Sequence, residues 1–92
     1  MIELYTGAGC SGCVTLKNKL LDLGISNYTP CDISIKKHRD ALMHLGFRSI
    51  PVILKMNDDG YLIDTLQGSQ IFDKVLIDFF KQDTTYETKD KL

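Results

Sequence analysis

The chain is 92 residues long, 43 % hydrophobic and 25 % charged, with a formal net charge of −1. That length holds one core rather than two, and the composition excludes a disordered or fibrous chain. Near-neutral charge gives no basic footprint for nucleic acid, and the local run Lys36-Lys37-His38-Arg39 is diluted by acidic neighbours. No stretch is apolar for long enough to span a bilayer, and Met1-Ile2-Glu3-Leu4-Tyr5 runs straight into a strand without a basic or apolar leader. A cytoplasmic domain without membrane or nucleic-acid partners is expected.

In chain order, Ile2 to Tyr5 reads as a strand that ends in the Gly7-Ala8-Gly9 turn, whose small residues let the backbone approach the cysteines closely. A helix is expected from Ser11, with Val14, Leu16, Leu20, Leu21 and Leu23 apolar and Gly24 as its stop. Tyr28 to Ile33 reads as extended, and Pro30, which cannot donate to a ladder, places that strand at a sheet edge. Ser34 is the expected N-cap of a second helix over Ile35 to Leu45, with Ile35, Ala41, Leu42 and Leu45 on one side and Gly46 ending it.

Pro51 to Met56 is a β-rich run, Asn57-Asp58-Asp59-Gly60 a turn, and Tyr61 to Leu66 a returning strand, together an antiparallel hairpin. Ile71, Phe72, Val75, Leu76, Phe79 and Phe80 then form a helical stripe that covers the sheet. The domain is expected to occupy residues 1–82, with 83–92 a flexible tail carrying little to bury. The order βαβα-ββα implies an α/β fold with a parallel strand pair, a right-handed crossover and a four-stranded mixed sheet flanked by three helices.

The chemistry concentrates in Cys10-Ser11-Gly12-Cys13. Cysteines at i and i+3 in a first helical turn share a face with Cα atoms roughly 5–6 Å apart, within disulfide range. Unsatisfied N–H groups and the positive dipole end stabilise a thiolate there, so Cys10, nearer that end, is the expected reactive sulfur. Three cysteines fit a stapled secreted framework badly, and a CxxC pair in a reducing compartment is more often redox-active or metal-binding than structural. A zinc set of Cys10, Cys13 and Cys31 with His38 or His44 is the rival reading. Cys31 itself reads as a small buried residue. Tyr5 and Phe47 could line a groove or pack in the core, Lys17 could favour a thiolate or be simply exposed, and Arg48 could meet an anion.

Tyr5-Thr6 followed by Cys10-Ser11-Gly12-Cys13, Asp32-Ile33-Ser34, Leu45-Gly46-Phe47 and Ser49-Ile50-Pro51-Val52 together resemble the glutaredoxins, in particular the NrdH-redoxin branch, over about residues 1–80. The resemblance implies the thioredoxin fold, and a monomeric thiol-disulfide oxidoreductase that reduces protein disulfides, with ribonucleotide reductase a candidate partner. It implies that Cys10 attacks and Cys13 resolves. It also implies that Pro51 is cis, that the Ile50 backbone pairs with the substrate, and that Gly68 and Ser69 hold a carboxylate at the start of the last helix. No tightly bound cofactor is implied, and electrons would come from glutathione or thioredoxin reductase. A [2Fe–2S] cluster shared by two chains, known in the glutaredoxins, is the non-enzymatic alternative for the same sulfurs. Two positions depart from the pattern. Gly7 stands where many members carry a Lys, and Leu66-Gln67-Gly68-Ser69 replaces Trp-Ser-Gly-Phe.

Overall fold

The computed structural model describes the backbone of residues 1–89 and the side chains of residues 1–81. The elements are β1 (Ile2–Thr6), α1 (Ser11–Asp22), β2 (Thr29–Asp32), α2 (Lys36–His44), β3 (Val52–Met56), β4 (Leu62–Gln67) and α3 (Asp73–Lys89), in the expected βαβα-ββα order. One four-stranded sheet has the order β2-β1-β3-β4. β1 pairs parallel with β2 and antiparallel with β3, and β3 pairs antiparallel with β4. Pro30 does sit on an edge strand. The β3–β4 turn is closed by the Asn57 carboxamide oxygen, which accepts from the amides of Asp59 at 2.9 Å and Tyr61 at 3.0 Å.

Alternation along the two central strands builds two cores of unequal size. Ile2 and Leu4 of β1 and Ile53 of β3 face α1 and α3, where they meet Leu16, Leu20, Ile71, Leu76, Phe79 and Phe80. Lys55 also turns to this side, buried, with its Nζ 4.2 Å from the Phe79 ring centroid. Tyr5, Val52 and Leu54 face the opposite way and pack with Cys31 and Leu42. The first core is tied to α3 by Lys19, whose ammonium donates to the Ile71 carbonyl at 2.7 Å and lies 3.7 Å from the Asp73 carboxylate.

Four sequence expectations are corrected. Ser34 is not a helix cap: its N–H donates to the Asp32 carboxylate at 2.9 Å, and Ile35 takes the cap position with no side-chain bond. The α2 stripe is not a buried face, because Leu42 alone is buried while Ile35, Ala41 and Leu45 are exposed. The α3 stripe buries Ile71, Leu76, Phe79 and Phe80 but leaves Phe72 and Val75 exposed; Ile71 and Phe72 both lie before the helical start at Asp73, where helical periodicity does not set the side a residue faces. The last helix runs through Lys89, past its expected end at Gln82. Residues 90–92 of the expected tail lie outside the described residues.

Candidate active site

The Gly7-Ala8-Gly9 turn carries the chain from β1 to the start of α1, where Cys10 is the N-cap in extended conformation (φ −98°, ψ 102°). The Cys10 sulfur accepts the Cys13 N–H at 3.1 Å, so a sulfur does the work that a hydroxyl or carboxylate usually does at a helix start. Cys10 and Cys13 are joined as a disulfide with Cα atoms 5.2 Å apart. Cys13 is buried on α1 while Cys10 is half-buried at the surface, an asymmetry that leaves one sulfur open to a partner. An amide already aimed at the Cys10 sulfur stabilises negative charge there once the bond is reduced.

The other sequence-predicted site residues gather around this pair. The Ile50–Pro51 peptide bond is cis, and the Ile50 carbonyl oxygen lies 3.9 Å from the Cys10 sulfur. Gly12 fits between Pro51 and the Ser69 side chain: a Cβ there would lie 3.3 Å from Ser69 Oγ and 3.5 Å from Pro51 Cδ. Gly68, at φ +89°, donates its N–H to the Pro51 carbonyl at 2.8 Å. That amide ties the end of β4 to the cis-proline loop and is already engaged, whereas the resemblance would aim it at a ligand carboxylate.

Cys31 lies apart from the dithiol in the smaller core. Its sulfur is 3.8 Å from the Thr29 carbonyl, and burial, followed by the Glu3 charge, pushes its thiol up. Tyr5 is a core residue whose phenol donates to Glu3 at 2.9 Å, and burial together with that carboxylate raises its pKa strongly. His38 packs edge-on to Tyr5 with centroids 6.1 Å apart. Among the described residues no group of three or more His, Cys, Asp or Glu side chains is placed to hold a metal ion. The Asp32 carboxyl is held below its usual range by the Ser34 amide first and the Ser34 hydroxyl second, with smaller pulls from Lys17 and His38.

Three features carry no signal in one dimension. Gly7 is required by close approach: a Cβ would lie 2.9 Å from Ile50 Cδ1 and 3.0 Å from Ile33 Cγ1. Two isoleucines thus fill the space beside the dithiol loop at the position where the resemblance expects a lysine. Ile33 and Arg39 meet Leu42, Phe47, Arg48 and Ile50 in the lining of a groove of about 530 Å³ between α2 and the cis-proline loop, all from one stretch of residues 33–50. Only a topology that lays α2 beside that loop brings them together.

No protein-family model matches the chain, and no curated protein does. Solved structures do match. The glutaredoxin-like protein NrdH-redoxin from Escherichia coli superposes with a TM-score of 0.61 at 23 % identity, over 75 % of this chain and 83 % of that one. The thioredoxin-like protein BC3987 gives 0.58 at 24 % identity over 89 % and 97 %. A Schistosoma mansoni thioredoxin gives 0.67 at 12 % identity over 88 % and 75 %. Likeness at such identities is a likeness of fold. The chain has the thioredoxin fold, with a Cys-x-x-Cys pair at the start of its first helix.

Proposed function

We propose that this thioredoxin-fold chain is a glutaredoxin-like thiol-disulfide oxidoreductase that reduces protein disulfides. The observation that carries the reading is the Cys10–Cys13 pair at a helix N-terminus, its outer sulfur 3.9 Å from the carbonyl of a cis Ile50–Pro51 bond. In the reduced protein the Cys10 thiolate attacks one sulfur of a target disulfide. A Cys10–target bond forms, the target S–S bond breaks, and the departing thiolate takes a proton from water. Cys13 then loses its proton and attacks Cys10, which expels the second target thiolate. Two electrons have passed to the target, and the chain is left as the Cys10–Cys13 disulfide.

No separate base is needed, because the Cys13 amide and the helix dipole hold Cys10 in the reactive form. Ile50 and Pro51 flank the approach, and Ser69 walls the other side of Gly12. An upstream thiol, from glutathione or thioredoxin reductase, restores the dithiol. Ribonucleotide reductase, the partner that the sequence resemblance suggests, is the first target to try.

The test is a turnover assay on a disulfide substrate with each electron source in turn. Cys10→Ser should abolish reduction, and Cys13→Ser should accumulate a mixed disulfide with the target, visible as a mass adduct. Full turnover by Cys10→Ser ends the assignment. Stoichiometric zinc or iron bound through Cys10 in anaerobically purified protein would turn the same sulfurs into ligands instead.

A further inference from the structure

The two open edges of the sheet are built differently. β2 is four residues long and carries Pro30, which has no N–H to offer an incoming strand. β4 is six residues long and contains no proline, lysine or arginine, the residues that commonly blunt an edge. The run Tyr61-Leu62-Ile63-Asp64-Thr65-Leu66-Gln67 is rich in β-forming residues, has Asp64 as its one charge, and leaves Tyr61, Leu62 and Ile63 exposed. A run of that kind on a sheet edge is a template for pairing with a second copy of itself. A net charge of −1 gives little repulsion to keep copies apart.

The ladder shows which amides are open to such pairing. The Gly68 N–H donates to the Pro51 carbonyl at 2.8 Å, and hydrogen-bonded partners alternate along an antiparallel pair. Leu66 opposite Ile53 and Asp64 opposite Lys55 therefore turn their backbone groups inward to β3, and Thr65 and Gln67 turn theirs outward. Lys55 pairs with Asp64 but Met56 with Leu62, so Ile63 is an extra residue, a bulge that interrupts the edge on that side. Past the bulge the first outward amide belongs to Thr65. It is already held: the Asp64 carboxylate accepts it at 2.8 Å.

We propose that Asp64 is an edge lock, a side chain that keeps β4 from adding the β4 strand of a second copy. Two copies paired antiparallel in one continuous sheet are related by a two-fold axis at a single residue. An axis at Asp64 would set two carboxylates opposite each other, which is unfavourable. An axis at Thr65 or at Leu66 would match outward groups with outward groups, and either register needs the Thr65 N–H. The one side chain thus opposes the first register by charge and closes the other two by hydrogen bond. The inference makes no use of the dithiol and is tested apart from the oxidoreductase reading.

The full chain is studied under reductant, so that no disulfide links two copies, by sedimentation equilibrium over roughly 10 µM to 1 mM. Asp64→Ala, which removes the acceptor, should raise the average mass above that of the wild type, toward two copies or more at the upper end. Asp64→Asn keeps an acceptor oxygen without the charge and should match the wild type. Asp64→Ala/Thr65→Pro, which also removes the outward amide, should match it too. Association of Asp64→Ala no stronger than that of the wild type would overturn the proposal. So would Asp64→Asn that associates as strongly as Asp64→Ala, since charge alone would then guard the edge, or a proline double variant that does so, since pairing would then lie elsewhere. If Asp64→Ala fails to fold, amide exchange on the wild type decides. Corrected for intrinsic rates, Thr65 should exchange about tenfold more slowly than the outward amide of Gln67, the factor that one such bond supplies, and equal rates would remove the lock.

Discussion

The two faces of the sheet differ in depth. On one face α1 and α3 lay Leu16, Leu20, Leu76, Phe79 and Phe80 on Ile2, Leu4 and Ile53. On the other, α2 contributes Leu42 alone, over Tyr5, Cys31, Val52 and Leu54. A face with so little covering has lost burial energy that a second long helix would have supplied. What it has instead is an open groove beside the reactive sulfurs. Cys13, which needs only to reach Cys10, hangs from the deep face's helix, while Ile50, which we assign to meeting a partner, belongs to the thin face. Stability and recognition are therefore expected to separate by face.

The largest effect that tests this separation is a truncation in the deep core. Leu16 is fully buried, and Leu16→Ala should cost roughly 2–5 kcal/mol in the reduced and the oxidised protein alike, read as the loss in denaturant unfolding free energy. Leu42 is buried too but lines the groove, where neighbours can settle into vacated space, so Leu42→Ala should fall at or below the bottom of that range. Its kinetic signature should be the larger of the two, as a raised KM for peptide disulfides. Equal stability losses with equal KM values would erase the distinction between the faces.

The same division accounts for what could be read in the sequence. A β-rich run from Pro51 to Met56, a proline in β2 and an Asn-Asp-Asp-Gly turn are local signals, and they yield the strands, the hairpin and the edge placement of β2. The Cys-x-x-Cys spacing at a helix start is local too, and so the disulfide pair could be anticipated. Signals that depend on how far an element stands from the sheet were misread. The apolar pattern of α2 suggests a buried stripe, but the helix rests on Leu42 and leaves Ile35, Ala41 and Leu45 exposed among the described residues. Ser34 has the residue type of a cap, yet its hydroxyl is drawn to the Asp32 carboxylate and the helix starts one residue later, with Ile35 at the cap position. The Ile33–Arg39–Ile50 lining is a tertiary juxtaposition, without any spacing to betray it.

Gly7 gives an intermediate test, at the seam between the dithiol loop and the thin face. In Gly7→Ala the new Cβ would press on Ile50 Cδ1 at 2.9 Å and Ile33 Cγ1 at 3.0 Å, and both side chains would have to swing toward the groove. Ile50 Cδ1 is the free end of its side chain and can yield, whereas Ile33 Cγ1 sits on a stiff β-branched Cβ, so the stability cost should be about 1–3 kcal/mol, the ordinary range for overpacking. The functional cost should be larger in proportion, since Ile50 moves relative to Cys10. Ile50→Val removes the Cδ1 that is struck and leaves the Ile33 contact, so the double variant should recover part of the loss, a coupling that a double-mutant cycle measures directly. Strictly additive effects would show that the Gly7–Ile50 contact is incidental.

Cys31 sharpens the comparison from the inside of the thin face, with the smallest expected effect. Burial, and then the Glu3 charge, raise its thiol above the ordinary range, with the Tyr5 bond and Lys37 pulling weakly the other way. A thiol raised in the folded state binds its proton more tightly there than in the unfolded chain. Stability from this source is thus complete below the unfolded thiol's pKa, about 8.5, and falls as pH rises from there toward the folded value. The Tyr5 phenol, raised by the same burial, adds a second decline of the same sign above about pH 10. Thermal midpoints taken from pH 7 to 10 should show a shallow fall that Cys31→Ala flattens in its lower part, and iodoacetamide on the reduced native protein at pH 8 should label Cys10 and spare Cys31. Labelling of Cys31 at a rate like that of Cys10 would mean that the thin face opens far more often than its packing implies, and the groove would then have to be redrawn as a breathing surface.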